Sequence, residues 1–354
     1  MISMFSSAAV AFLVTLVLTP YAIRYLRSRS IGQFIQEEVG DHFHKHGTPT
    51  MGGVVLVFGV VIGYLVSHVS FWTSLGGLGF GYDSFTTGGL LALMAFVGMG
   101  AIGFVDDYQK VFQERNLGLN KSGKFLGQLF IAAVFVWALS RTEMPLDISF
   151  TRPLGLGLPA WAFTIWALLA LTGTANAVNI TDGLDGLASG ASALVFGAYT
   201  IMTYWIFRNP DFYGSFIAQD LSALDVARFS AAVSGATLGF LWWNAAPAKI
   251  FMGDVGSQAI GGGLAAVALL THTHLLLPIL AGLFVWETVT VIGQIASFRL
   301  TGKRILLIAP IHHHYERSGW PETTVIVRFW IIASICVALG LGIFYGDFVT
   351  GGGL

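Results

Sequence analysis

The sequence predicts an all-α polytopic integral membrane protein. It has about ten transmembrane helices, both termini outside, and a functional site built from cytoplasmic loops. Three observations carry this. Of 354 residues, 55% are hydrophobic and only 10% charged, against roughly 25% charged in an ordinary soluble domain. Apolar runs near the ~20 residues needed to cross a bilayer recur along the whole chain. Lys and Arg segregate to alternate loops.

The runs fall at roughly 3–23, 52–70, 87–105, 125–140, 159–178, 187–207, 229–243, 257–271, 275–298 and 325–347. No Lys or Arg precedes the first run, whereas Arg24, Arg27 and Arg29 follow it directly. A cleaved signal peptide has the reverse polarity, so the run reads as a retained span. Gly59/Gly63 in the second run and Gly235/Gly239 in the seventh have the spacing that lets helices approach closely in lipid. Loops after odd-numbered runs hold Arg24, Arg27, Arg29, Lys45, Lys110, Arg115, Lys121, Lys124, Lys249, Arg299, Lys303, Arg304 and Arg317. The other loops hold only Arg141, Arg152, Arg208 and Arg228. The odd loops are therefore expected to be cytoplasmic.

Residues 1–354 read as one transmembrane domain, with neither an internal repeat nor an inserted soluble domain. The lone Cys336 excludes an intrachain disulfide. A net charge of −1 with few, local cations says nothing in itself about nucleic acid, and no nucleic-acid partner is expected of a chain of this class.

Polar motifs gather on the odd loops. The first holds Lys45 and the turn Gly47-Thr48-Pro49-Thr50-Met51-Gly52-Gly53, beside His42, His44 and His46. The third opens with Asp106-Asp107 and Lys110 and closes with Lys121, Lys124 and Gln128. The fifth holds Asn176, Asn179, Asp182 and Asp185, three residues apart and so roughly on one face of a helix, with Gly183 and Gly186 between them. The seventh holds Asn244 and Phe251-Met252-Gly253-Asp254-Val255-Gly256-Ser257, and the ninth Pro310-Ile311-His312-His313-His314-Tyr315-Glu316. Five such loops on one face are expected to assemble a single site.

Asp106, Asp107, Asp182, Asp185 and Asp254 supply five carboxylates, more than one Mg²⁺ takes. The lysines offer counter-charges for phosphate, and the glycine turns offer backbone N–H groups. The three histidines lack zinc spacing; they read either as contacts to an anionic ligand or as a capped, solvated loop. Glu287, inside an apolar run, reads either as functional or as a hydrogen bond between helices. His272 and His274 read as interfacial residues of a tight turn on the other side. Two classes fit: a Mg²⁺-dependent membrane enzyme acting on phosphates, or an ion-coupled transporter. A transporter places its carboxylates near the midplane of broken helices. Here they gather in loops beside lysines, which favours the enzyme.

These motifs, in this order, resemble those of the polyprenyl-phosphate N-acetylhexosamine-1-phosphate transferases. The likeness covers nearly the whole chain, and the His312-His313-His314-Tyr315-Glu316 segment favours the muramoyl-pentapeptide branch over the GlcNAc branch. The resemblance implies Mg²⁺-dependent transfer of phospho-MurNAc-pentapeptide from UDP-MurNAc-pentapeptide to undecaprenyl phosphate, giving lipid I and UMP. It implies a multi-pass protein of the bacterial cytoplasmic (inner) membrane, with the site facing the cytoplasm and a homodimer as the family's expected assembly. By similarity, Asp254 is the foremost metal ligand, with Asp106 and Asp107 beside it. Asp106 acts as base or as metal neighbour, in one step or in two with Asp254 as nucleophile. The catalytic set is completed by His312. The uridine pocket maps to Lys45, Gly183, Leu184, Asp185 and Phe251, and the ribose and phosphate region to Thr50, Asn179 and Asp182. Lys124, Asn244, His313 and His314 complete the substrate contacts. The GlcNAc-1-phosphate transferases are the alternative within the same superfamily.

Overall fold

The computed structural model describes residues 1–29, 47–72, 78–112, 119–214, 217 and 221–353. Lys45, with His42, His44, His46 and Arg115, lies outside the described residues.

The chain runs through α1 (Ile2–Ser28), α2 (Gly53–Val66), the strand pair β1 (Val69–Trp72) and β2 (Leu78–Tyr82), α3 (Thr87–Phe112) and α4 (Lys121–Leu139). A second pair, β3 (Asp147–Ser149) and β4 (Pro153–Gly157), precedes α5 (Ala160–Thr181), α6 (Leu187–Arg208), α7 (Pro210–Tyr213), α8 (Ala223–Asn244) and α9 (Gly253–Leu270). The chain ends with α10 (Leu277–Leu280), α11 (Gly282–Thr301), α12 (Ile311–Arg317) and α13 (Glu322–Thr350). Among the described residues eight helices are long and apolar enough to cross a membrane, and α2 is a shorter apolar helix. The protein is an all-α polytopic membrane protein.

Three expected runs change shape. The run read from residue 229 begins at Ala223, because Asp225 and Arg228 in its first turns are neutralised inside the protein. Asp225 accepts hydrogen bonds from Tyr64 Oη (2.9 Å), Thr86 N (3.0 Å) and Thr86 Oγ1 (2.8 Å), and lies 2.7 Å from His68 Nε2. Arg228 pairs with Asp83. Charges are tolerated at membrane depth when they face partners of this kind. The run read as 275–298 is broken at Ala281, after the single turn that Pro278 opens. The second run stops at Val66, and its tail becomes β1. The two antiparallel hairpins were not expected; pairing the short segments satisfies backbone groups that neither helix nor lipid would.

Helix α9 is the innermost, buried along nearly all its length between α3 and α5. Helices α1, α2 and α8 form a second tight group. A Cβ on Gly235 or Gly239 would fall 2.1 or 2.5 Å from the carbonyl oxygens of Ala8 or Phe12, and one on Gly59 only 2.1 Å from Thr15 Oγ1. These glycines permit backbone contact between helices. His272 and His274 are buried rather than interfacial, and Ser149 N–H donates to His274 Nε2 at 2.8 Å. The β3–β4 hairpin is thereby pinned to the turn after α9.

Candidate active site

Helix α3 does not end where the apolar run ends; it continues through Asp106 and Asp107, so the pair stands on a helix and not in a loop. Gly103 explains how. A Cβ there would fall 2.1 Å from the carbonyl oxygen of Asp254, so only glycine lets α3 cross the first turn of α9. The crossing sets three carboxylates together: one oxygen each of Asp106, Asp107 and Asp254 lies within 4.8 Å of the others. Asp254 sits in the first turn of α9, where the helix dipole favours an anion. The left-handed Gly253 (φ 73°) turns the chain into that helix.

Each carboxylate is held. Val255 N–H donates to Asp107 Oδ2 (3.1 Å), Leu119 N–H to Asp106 Oδ1 (2.8 Å), and Asn179 Nδ2 to Asp254 Oδ1 (2.6 Å) and Ser257 Oγ (2.9 Å). Two ammonium groups share Asp254 Oδ2: Lys110 at 2.8 Å and Lys124 at 2.6 Å. Lys110 Nζ also lies 2.6 Å from Asp106 Oδ2. Three carboxylates against two lysines leave one negative charge in excess, on a donor set made only of hard oxygens. That set fits a small divalent cation such as Mg²⁺, and the two lysines suit the phosphates that accompany one.

Behind the cluster runs a chain of amides. Asn176 Nδ2 donates to Gln128 Oε1 (3.1 Å), whose Nε2 donates to Gln258 Oε1 (2.6 Å). Gln258 carries no reading in the sequence, Asn176 and Ser257 stand there only as members of the polar loops without a role of their own, and Lys110 reads only as a counter-charge. Polar groups inside apolar runs were the available signal.

The regular spacing of the fifth loop does not survive as one face. Helix α5 ends at Thr181, so Asn176 and Asn179 look toward α4 and α9 while Asp182 caps the helix. Asp185 turns away: its Oδ2 accepts from Ala248 N–H (2.8 Å), and its own N–H donates to Glu322 Oε1 (3.1 Å). Half-buried Asp182 loses water, and its carboxyl is pushed up to about 8, with the charges of Asp254, Asp107 and Asp185 acting in the same direction. Leu184 and Asn244 are buried. Asn244 accepts from Ser189 Oγ (2.8 Å) and donates to the Ile250 carbonyl (2.9 Å), fastening α6 to the segment before α9. That segment pairs with residues 49–53. Phe251 N–H donates to the Pro49 carbonyl (2.8 Å), and Gly52 and Gly53 N–H donate to the carbonyls of Phe251 (2.9 Å) and Met252 (2.8 Å). Half-buried Thr50 and Phe251 are thus held beside Gly253.

The histidines belong to α12 and not to a solvated loop. His312 is wholly buried with its Nδ1 3.0 Å from Glu287 Oε2, an ion-pair contact not aligned as a hydrogen bond. His313 Nδ1 lies 2.7 Å from Glu316 Oε2. A Cβ on Gly183 would fall 2.4 Å from His312 Nε2 and 3.3 Å from His313 Nε2, so the α5–α6 turn rests on both imidazoles. His314 faces elsewhere, its Nδ1 accepting from Leu307 N–H at 3.2 Å. Glu287, open between two readings in the sequence, is in contact with the histidine group. Asp106, Asp107, Asp254, Lys124, Asn179 and Asp182 come together; His312 and His313 join them through Gly183.

Known proteins share this chain's pattern. The profile for glycosyl transferase family 4 matches residues 89–272, and a phospho-N-acetylmuramoyl-pentapeptide-transferase signature matches residues 45–57. Proteins named phospho-N-acetylmuramoyl-pentapeptide-transferase are similar over nearly their full length. One from Corynebacterium efficiens is 48% identical over 97% of each chain, and one from Frankia casuarinae 46% identical over 98% of each. A third, from Cutibacterium acnes, is 44% identical over 98% of each chain.

Proposed function

The chain belongs to the phospho-N-acetylmuramoyl-pentapeptide transferases of glycosyl transferase family 4, and we propose that it performs their reaction at the Asp106–Asp107–Asp254 cluster. It is a membrane phosphoglycosyl transferase that moves phospho-MurNAc-pentapeptide to a lipid carrier in peptidoglycan synthesis. The donor in this reading is UDP-MurNAc-pentapeptide, the acceptor undecaprenyl phosphate, and the products lipid I and UMP. An oxygen of the lipid phosphate bonds to the sugar-side phosphorus. The bond from that phosphorus to the bridging oxygen breaks, and UMP departs with that oxygen and its electron pair.

The observation that carries the reading is the meeting of three carboxylates from two helices with two lysines. Asp254, with Asp106 and Asp107, would hold Mg²⁺, which when bound neutralises charge on the transferring group and on UMP. Lys110 and Lys124 turn from Asp254 to the diphosphate oxygens. Asn179 fixes the rotamer of Asp254. Asp106 serves to position, since a phosphate monoester with a second pKa near ~6 is already mostly dianionic at neutral pH. At the uridine end Phe251 and the exposed Gly183 offer the surface, and Leu184, Asp185 and Asn244 hold it from behind. Thr50 and Asp182 line the passage between. Lys45 enters this reading through the matched signature alone. Arg24, Arg27, Lys249, Arg299 and Lys303 gather at the site's end of the bundle, which supports a site facing the bacterial cytoplasm.

The test uses detergent-purified protein with undecaprenyl phosphate and Mg²⁺, supplied in parallel with UDP-MurNAc-pentapeptide or UDP-GlcNAc. UMP and lipid product form only with the muramoyl donor, and EDTA stops both. Turnover of UDP-GlcNAc instead would move the chain to the other branch. Folded protein releasing no UMP with either donor would overturn the reading.

A further inference from the structure

Lys124, Asp254 and Asn179 meet at the carboxylate cluster from three different helices, and one turn deeper each of those helices carries a side-chain amide. On α4 Gln128 follows Lys124 by four positions, and on α9 Gln258 follows Asp254 by four. On α5, which runs the other way, Asn176 precedes Asn179 by three. Residues so spaced share a helix face. The deeper amides repeat the meeting above them. Gln128 Nε2 donates to Gln258 Oε1 (2.6 Å), and Gln128 Oε1 accepts from Asn176 Nδ2 (3.1 Å). Gln128 and Gln258 are both buried.

Helix α4 needs such a fastening more than its neighbours do. Helices α5 and α9 touch backbone to backbone: a Cβ on Gly261 would fall 2.5 Å from the Thr174 carbonyl oxygen. Helix α3 crosses α9 as closely at Gly103. By contrast α4 lies on the outside of the bundle, with Phe125, Leu126, Phe130 and Trp137 exposed. Among the described residues, the hydrogen bonds and ion pairs between α4 and α9 are those of Lys124 with Asp254 and of Gln128 with Gln258. A lysine side chain is long and flexible, so its ion pairs leave the rotation of α4 loosely set. The Gln128 amide is shorter and shut off from water, where an unpaired polar group is costly. A rotation of α4 away from this one would part it from Gln258 and Asn176 together. Gln258 depends on it in turn. Its Nε2 has no hydrogen-bond partner among the described residues, so the bond from Gln128 is what orients it.

We propose that Gln128 is a positioning residue for the transfer. Held between Gln258 and Asn176, it fixes the rotation of α4 so that the Lys124 ammonium stands at Asp254 Oδ2, within reach of the diphosphate. This rests on the transferase reading above. Gln128 itself touches no substrate. The tier is built of neutral amides, so it holds α4 without adding charge to a site that already has one negative charge in excess.

The test uses the full-length protein in detergent. The variants are Gln128→Met, which keeps the length and removes the amide, the paired Gln128→Met/Gln258→Met, Lys124→Ala, and Gln128→Met/Lys124→Ala. Gln128→Met should lower kcat on the order of 10-fold, short of the ~10²-fold that an ångström of misplacement can cost. KM for the donor nucleotide should move far less. The melting temperature should fall too, because Gln258 Oε1 loses its donor. The paired variant removes both partners, so melting should recover while kcat stays low. In the Lys124→Ala background Gln128→Met should slow turnover no further. Spectra of ¹³C-labelled lysine, with Lys124 assigned by its loss in Lys124→Ala, should show the Lys124 signal moving in Gln128→Met and in the paired variant. Parental kcat in Gln128→Met, kcat that recovers along with melting in the paired variant, or losses that multiply on Lys124→Ala would overturn the proposal. If Gln128→Met fails to fold, the paired variant decides: parental kcat or an unmoved Lys124 signal would overturn it. A folded parent that releases no UMP would defeat the transferase reading, while the Lys124 signal would still decide whether Gln128 places that ammonium.

Discussion

At Asp254, Oδ1 accepts from Asn179 while Oδ2 is shared between Lys110 and Lys124. Asp254→Asn keeps the shape but removes the charge that gathers both ammonium groups. Turnover should fall on the order of 10³-fold at any Mg²⁺ concentration, checked by UMP release, with a melting temperature close to the parent's. Asp182 offers a pH test. Its folded carboxyl is raised from 3.8 to about 8, so between those values the folded state binds more protons than the unfolded one. Stability therefore falls as pH rises through that window. In EDTA, Asp182→Asn should melt higher than the parent, by a margin that widens from pH 5 to pH 8; a constant margin would mean that Asp182 is charged throughout. Asp106, Asp107, Asp254 and Lys124 were legible because charges are conspicuous in so apolar a chain. The Glu287–His312 and Gln128–Gln258 contacts were not, since partners 25 and 130 positions apart leave no local sign of each other.

The helices were mostly legible as elements, because apolar length is a strong signal. Their ends were not: α3 runs past its apolar stretch because Lys110 and Lys124 neutralise its carboxylates, and α8 starts early because Asp225 and Arg228 find partners. Both corrections concern charges whose partners lie on other elements. Close crossings decide the site at this scale. Gly103→Ala would thrust a methyl group against the Asp254 carbonyl at 2.1 Å, and α9 must move away. A cost of about 1–3 kcal/mol is expected in denaturant or thermal unfolding, with turnover lost further than folding because the three carboxylates separate. Turnover equal to the parent's would show that the crossing has slack.

Among the described residues a polar cluster stands at each end of the bundle, and of these two the one at Asp254 has the makings of chemistry. At the far end Asp225 draws Tyr64, His68 and Thr86 together and ties the β1–β2 hairpin to α8 through Asp83 and Arg228. Asp225→Ala leaves buried partners without their anion and should destabilise by about 3–5 kcal/mol, read as a lower melting temperature. Turnover per folded molecule should stay at the parent's level; a selective loss of turnover would couple the two ends.

The α1–α8 contact also has a consequence in time. Ser7 Oγ donates to the Arg228 carbonyl (2.8 Å) and Trp243 Nε1 to the Leu16 carbonyl (2.9 Å), so the first helix made is completed by one made nearly two hundred residues later. At translation rates of about 5–20 residues per second, α1 waits roughly 10–40 s in the bilayer with the face that packs on Gly235 and Gly239 uncovered, although α2 reaches Ser7 and Thr15 earlier. Until α8 arrives, lipid or an insertion factor must stand in for it, and the emerging chain is most vulnerable to proteolysis in that interval.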